Sequence, residues 1–136
     1  MEEYKDWQEI ESCVETLVNL ILAKKMKFQS ISTISRGGLV PSRLVADRLS
    51  IKQIIVDGDS IPADSLFVDD IYDTGETFRR TIQRAESPDD LVYSTLFARK
   101  NQKYPKQLIY AKQTHGDEYI VYPWDRFEHG VAKSSQ

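Results

Sequence analysis

At 136 residues, 40% of them apolar and 29% charged, the chain has the length of one globular domain with its own core. Eighteen Lys and Arg against 21 Asp and Glu give a net charge of −3 and a pI near 5.4, which with no basic run argues against general nucleic-acid or membrane-surface binding. The longest apolar stretch, around Leu17 to Ala23, is far below the ~20 residues of a membrane span. The acidic start MEEYKDWQE lacks a signal peptide's basic and apolar regions, which predicts a cytoplasmic protein. Cys13 is alone, so neither an internal disulfide nor a cysteine zinc site is expected.

The N-terminal segment, within residues 3–26, reads as an amphipathic helix because Trp7, Ile10, Val14, Leu17 and Ile21 recur at intervals of three and four. It is expected to serve packing, or a contact between copies through Trp7. Phe28 to Ser35 reads as a buried strand ending at Arg36-Gly37-Gly38. Pro41 suits the first turn of a following helix that carries Leu44, Val45 and Leu49. Ile51 to Val56 is a short β-branched strand, followed by turn chemistry at Asp57-Gly58-Asp59. Leu66 to Val68 forms an apolar strand running into Asp69-Asp70, with a helix from about Gly75 to Arg84 behind it. Further strands are expected at Leu91 to Phe97, Gln107 to Ala111 and Glu118 to Tyr122, and residues 128–136 read as a polar, fraying tail. From Phe28 on, the order β-α-β-β-α-β-β-β predicts a single α/β domain, a mainly parallel central sheet flanked by helices. Ligands of such sheets bind outside the carboxyl ends of the strands, where the Gly-rich and Asp-rich turns fall.

The strongest chemical signal is the string Leu66-Phe-Val-Asp-Asp-Ile-Tyr-Asp-Thr-Gly-Glu-Thr77. A strand delivers two adjacent carboxylates, and Thr74, Gly75, Glu76 and Thr77 open a helix. Successive backbone N–H groups, the helix dipole and two hydroxyls there suit a phosphomonoester, and Gly75 permits close approach. Asp69 and Asp70 suit the hydroxyls of an attached sugar, directly or through Mg²⁺ and water. The plain alternative is that Asp73 and Thr74 only cap a helix and that Asp69 and Asp70 are solvated turn residues. The whole string favours the chemical reading over that alternative. No Gly-Lys-Ser/Thr phosphate loop and no Rossmann glycine turn occur.

That string resembles the phosphoribosyl diphosphate (PRPP) binding motif of the type I phosphoribosyltransferases. Ser35-Arg36-Gly37-Gly38-Leu39-Val40-Pro41 is similar to their pyrophosphate loop. Leu96-Phe97-Ala98-Arg99 and Glu118-Tyr119-Ile120-Val121-Tyr122-Pro123-Trp124-Asp125 resemble base-binding segments of the xanthine-guanine and related 6-oxopurine enzymes. The resemblance covers residues 28–127 and implies transfer of a 5-phosphoribosyl group from PRPP to N9 of a purine. By it, Arg36, Gly37 and Gly38 hold the pyrophosphate, Thr74 to Thr77 the 5′-phosphate, and Asp69 and Asp70 the ribose and, indirectly, Mg²⁺. Asp73 becomes the candidate general base near purine N7. Arg99, or Lys100 if the register slips, contacts the 6-oxo group, Tyr119 stacks on the ring, and the Ile120 carbonyl accepts from an exocyclic amine. Tyr122 and Trp124 read as core aromatics, and His115 and His129 as surface residues without an acid partner.

The resemblance further implies a non-proline cis peptide in the pyrophosphate loop, matched to the Arg36–Gly37 bond, and assembly as a dimer or tetramer. Where relatives carry a long flexible lid, only Ser50 to Ser65 separates the Leu49 helix from Leu66. A reduced flexible loop predicts weaker catalysis or hydrolysis of the donor. Two further readings stay open beside a minimal purine phosphoribosyltransferase. One is a non-catalytic or regulatory protein that binds PRPP or a nucleotide; the other is a PRPP-using enzyme for a different base.

Overall fold

The computed structural model describes residues 1–125. The expected tail, the last two residues of the 28–127 core and His129 lie outside the described residues. A parallel five-stranded sheet has the order β3-β2-β4-β5-β6. Its strands are β2 (Ser30–Thr33), β3 (Gln53–Val56), β4 (Ser65–Tyr72), β5 (Tyr93–Ala98) and β6 (Leu108–Gln113). Helices α1 (Trp7–Leu22) and α2 (Leu39–Leu49) cover one face, and α3 (Glu76–Ile82) covers the other. The chain passes from β2 through α2 to β3 on one side and from β4 through α3 to β5 on the other. The topological switch point therefore lies between β2 and β4, where an open α/β sheet offers a crevice for ligands.

The N-terminal helix is shorter than the periodicity implies. Asp6 has extended backbone and its carboxylate accepts the Glu9 N–H at 2.8 Å, so the helix begins at Trp7. Ahead of that cap, β1 (Glu2–Tyr4) pairs in parallel with β7 (Tyr119–Val121) in a separate two-stranded sheet. The expected last strand thus leaves the main sheet and is completed by the N-terminus. Ile10, Cys13, Val14, Leu17, Val18 and Ile21 form the buried face of α1, whereas Trp7 is half exposed and its ring meets Trp124 at 5.9 Å. Among the described residues no helix is long and apolar enough to cross a membrane.

β4 extends past Val68, so Asp69 and Asp70 lie within the strand rather than beyond its end. Side-chain alternation shifts there by one residue in three strands at matched register. In β4, Val68 and Ile71 pack with the α1/α2 core, while Phe67 and Tyr72 pack with the α3 core. Strict alternation would put Ile71 on the face of Phe67. In β5, adjacent Leu96 and Phe97 both face α1/α2. In β6, Ala111 joins that core, and its neighbour Lys112 reaches Glu9 of α1 at 3.0 Å. The rows Asp69–Thr95–Tyr110 and Ile71–Phe97–Lys112 flank the offset. The Asp70 N–H donates to Asp69 Oδ1 and the Ile71 N–H to Asp70 Oδ1, each at 2.8 Å. Carboxylates thus satisfy backbone donors where the strand changes phase, as at a bulge.

The connection from β3 to β4 spans residues 57–64 and is fastened to the segment after α3. Buried Ile61 exchanges backbone hydrogen bonds with Arg84 and Glu86, and Arg84 Nη1 donates to the Gly58 carbonyl at 3.1 Å.

Candidate functional site

Gly75 caps α3 with φ of 88°, a conformation that L residues rarely adopt, and a Cβ there would lie 2.6 Å from the Tyr72 hydroxyl. The helix starts at Glu76, one residue later than expected, and its carboxylate-bearing first residue is solvent-exposed. The Glu76 N–H donates to Thr74 Oγ1 at 3.3 Å. Residues 69–78 with Tyr93 enclose a cavity of about 140 Å³ at the end of β4. The structure therefore joins the two parts of the string, carboxylates and loop, around one space of phosphate size.

Asp69 and Asp70 diverge from that strand toward opposite faces. Asp69 is buried on the α3 side and Asp70 half-buried on the α1/α2 side. Burial, and then the neighbouring Asp70 charge, push the Asp69 carboxyl well above the usual range. Burial raises Asp70 as well. Beside them, burial followed by the Asp70 and Asp69 charges raises the Tyr122 phenol. Two crowded carboxylates form a place where a cation or a sugar diol is favoured. Among the described residues no group of three or more His, Cys, Asp or Glu could hold a metal.

Across the switch point the β2–α2 turn packs against β4. A Cβ on Gly37 would lie 2.9 Å from Asp70 Oδ2, so this turn and the carboxylate share one wall. Gly38 serves a different purpose. A Cβ there would fall 1.9 Å from Thr33 Oγ1, which donates to the Val68 carbonyl at 2.6 Å. The expected cis bond is present one residue earlier than assigned, at Ser35–Arg36. Ser35 anchors the turn to the end of β3, donating its N–H to Asp57 Oδ1 at 2.9 Å and its hydroxyl to Oδ2. Those bonds hold the Asp57 carboxyl below its ordinary range. On the other side, Arg36 and Gly37 share a cavity of about 600 Å³ with Leu39, Trp124 and Asp125.

Arg99 links the phosphate loop to the expected base segment. Its Nε donates to Asp73 Oδ1 at 3.1 Å, and Nη1 donates to the carbonyls of Gly116 at 3.2 Å and Glu118 at 2.7 Å. Lys100 is exposed, so the geometry places Arg99, not Lys100, beside Asp73. The Glu118 carboxylate accepts the N–H groups of His115 and Gly116 at 2.9 and 2.7 Å. Burial opposes its ionisation, yet those two donors outweigh it and hold its pKa down to about 2. Tyr119 is 59% exposed, and Ile120 is buried. The Tyr119 N–H donates to the Met1 carbonyl just ahead of β1 and the Val121 carbonyl accepts from the Lys5 N–H just after it, so strand alternation turns the Ile120 carbonyl away from β1. Tyr122 and Trp124 stack at 4.7 Å, with Tyr122 inside the main core.

Sequence reasoning missed Lys5. Its ammonium is almost wholly buried, bonded to Glu3 at 2.7 Å and Glu9 at 3.1 Å, and lies 5.0 Å from the Phe97 ring centroid. It pins β1, and through β1 the Tyr119–Val121 strand, to the end of β5. His115 also differs from expectation, because its Nε2 lies 3.6 Å from Glu3 Oε1. A short acidic segment with a single Lys carries no signal of such burial.

No family model matches the chain. It is 28% identical over 137 aligned positions to the xanthine-guanine phosphoribosyltransferase of Chromohalobacter salexigens, covering 88% of this chain and 81% of that protein. Its fold matches the Helicobacter pylori xanthine-guanine-hypoxanthine phosphoribosyltransferase with a TM-score of 0.77 at 14% identity, over 98% of this chain and 99% of that one. A purine phosphoribosyltransferase from Pyrococcus horikoshii gives 0.71 at 20% identity, over 90% and 93%. The parallel sheet with two carboxylates and an anion loop after its central strand defines the class as the type I phosphoribosyltransferase fold. The chain has that fold and is similar in sequence to a xanthine-guanine phosphoribosyltransferase.

Proposed function

We propose that the chain is a purine phosphoribosyltransferase, moving the 5-phosphoribosyl group of PRPP to N9 of a 6-oxopurine (guanine, xanthine or hypoxanthine) with release of pyrophosphate. The observation that carries this reading is the meeting, at the β2/β4 switch point, of Gly37, the Asp69–Asp70 pair and the Thr74–Thr77 loop. The loop N–H groups and hydroxyls hold the 5′-phosphate. Asp69 and Asp70 orient the ribose diol, and Mg²⁺, when bound through those oxygens or water, offsets charge on the departing diphosphate. Arg36 and the Gly37 amide receive that diphosphate. Asp73, fixed by Arg99, takes the purine proton, while the Arg99 guanidinium donates to the 6-oxo group and the Ile120 carbonyl accepts from the base. The 57–64 connection is short and fastened, so water exclusion falls to groups already in place and some donor hydrolysis accompanies transfer.

The test is nucleotide and pyrophosphate formation from Mg²⁺, PRPP and each base, beside Asp73→Asn and Asp69→Asn. Each substitution is expected to lower kcat by about 10²–10⁴. No product with any base, despite measurable PRPP or nucleotide binding, would replace this reading with that of a regulatory binding protein.

A further inference from the structure

The β2–α2 turn is held differently at its two ends. Downstream, Gly38 is buried against Thr33 and the Val68 carbonyl, whereas Ser35 and Arg36 upstream are exposed. The turn's own backbone bonds run from the Gly38 N–H to the Ile34 carbonyl and from the Leu39 N–H to the Arg36 carbonyl, each at 3.2 Å. Neither involves the N–H or the hydroxyl of Ser35. Both of those donors go to Asp57 instead, the N–H to Oδ1 at 2.9 Å and the hydroxyl to Oδ2. The carboxylate itself rests on a fixed base. The Asp57 N–H continues the β2–β3 ladder by donating to the Thr33 carbonyl at 3.0 Å. Its φ of 54° turns the chain there, a conformation that Asp and Asn tolerate better than most residues. The next residue, Gly58, is braced by Arg84, and Ile61 is paired with Arg84 and Glu86.

We propose that Asp57 is a positioning residue for the diphosphate end of the donor: acting through Ser35, it holds the Arg36–Gly37 turn in its receiving shape before ligand arrives. The inference rests on the phosphoribosyltransferase reading above and adds a residue that lies outside every segment carrying the resemblance. Asp57 does not touch the ligand. A carboxylate in contact with a diphosphate would repel it, and both Asp57 oxygens are already engaged by Ser35. Its effect is on order: an exposed turn that is fixed beforehand loses no further conformational freedom when it binds. Gly37 makes that order matter, since a Cβ there would lie 2.9 Å from Asp70 Oδ2 and any drift of the turn alters the wall it shares with the carboxylate pair. The short 57–64 connection thus gains a role of its own, tying the segment after α3 to the turn that receives the leaving group.

The test splits the donor into its two ends and titrates the full chain calorimetrically, in Mg²⁺, with pyrophosphate and separately with ribose 5-phosphate. Asp57→Gly removes both acceptors and accepts the positive φ without strain. It should weaken pyrophosphate binding about tenfold and leave ribose 5-phosphate within twofold of the parent, because the latter is held by β4 and the Thr74–Thr77 loop. Asp57→Asn keeps one acceptor and the same backbone tolerance, so it should recover part of the loss. Ser35→Ala removes only the hydroxyl and covers the case in which Asp57→Gly folds poorly. Joined to Asp57→Asn, it should weaken pyrophosphate binding by less than the product of the two single effects, since both act on one contact. Pyrophosphate affinity within twofold of the parent in Asp57→Gly, Asp57→Asn and Ser35→Ala overturns the proposal. Equal weakening of both ligands does so too, since it marks a residue that supports the fold alone. A parent chain that binds neither ligand overturns the site assignment itself, and this inference with it.

Discussion

Gly38→Ala tests how tightly the β2–α2 turn is packed against the strands. Gly38 has φ of −86° and ψ of −5°, an ordinary helical conformation, so alanine meets no backbone strain. Entropy loss in the unfolded chain would by itself favour alanine by about 0.4–1 kcal/mol. Against this, the new Cβ would sit 1.9 Å from Thr33 Oγ1 and 2.9 Å from the Val68 carbonyl oxygen. Overpacking of this kind costs about 1–3 kcal/mol. Turning Thr33 aside also breaks its buried 2.6 Å bond to Val68, a further ~1–3 kcal/mol. The net expectation is a loss of about 1–6 kcal/mol, read from urea unfolding with an unchanged slope. Thr33→Ala removes the nearest obstacle, so the double variant should be less destabilised than the sum of the singles by at least ~1 kcal/mol. A neutral or stabilised Gly38→Ala would refute the close approach, and with it the packing that sets Gly37 against Asp70.

Three other outcomes follow from the electrostatics. Burial and Asp70 raise the Asp69 carboxyl in the fold, so the native state keeps this proton to higher pH than the unfolded chain does. Its contribution is complete below the unfolded pKa of about 4 and is lost as pH rises through the native value. Asp69→Asn should therefore unfold at higher urea than the parent at pH 7, with the gap closing near pH 4, even as nucleotide formation falls. Glu118 has the opposite sign, since its pKa of about 2 makes its contribution present above the unfolded value and lost as pH falls toward 2. Glu118→Gln should cost about 1–3 kcal/mol at pH 7 and progressively less below pH 4, by urea midpoints across pH. Arg99→Met removes the Asp73 pair and two carbonyl contacts; the purine KM should rise several-fold while the PRPP KM changes little in initial-rate assays.

Most of the fold was legible because its signals are contiguous. Apolar runs bounded by Gly and Asp turns mark β2, β4 and β5, and three- and four-residue spacing marks α1. What stayed hidden depends on partners distant in the chain. Glu2–Tyr4 has neither the length nor the alternation of a strand, and becomes one only because Tyr119–Val121 offers its edge. The one-residue phase shift at Asp70, Leu96 and Ala111 is invisible in any single strand, since it exists only as agreement among three.

The same division runs through the site and explains what each part contributes. The candidate anion-binding residues sit together in the string from Asp69 to Thr77, because a loop that cradles an anion must be built from consecutive N–H groups. Residues that place one reacting partner against another cannot be consecutive. Asp73 meets Arg99, and Arg99 meets the carbonyls of Gly116 and Glu118. The strand beyond Glu118 is in turn held by β1, which buried Lys5 secures. This chain makes the N-terminal strand a support of the candidate purine pocket. Lys5→Met should show it: removing one partner of a buried charge cluster costs about 3–5 kcal/mol. The purine KM should rise before the PRPP KM does, because the 5′-phosphate loop hangs from β4 and the base segment from β1. Equal changes in both constants would mean that Lys5 supports the core alone.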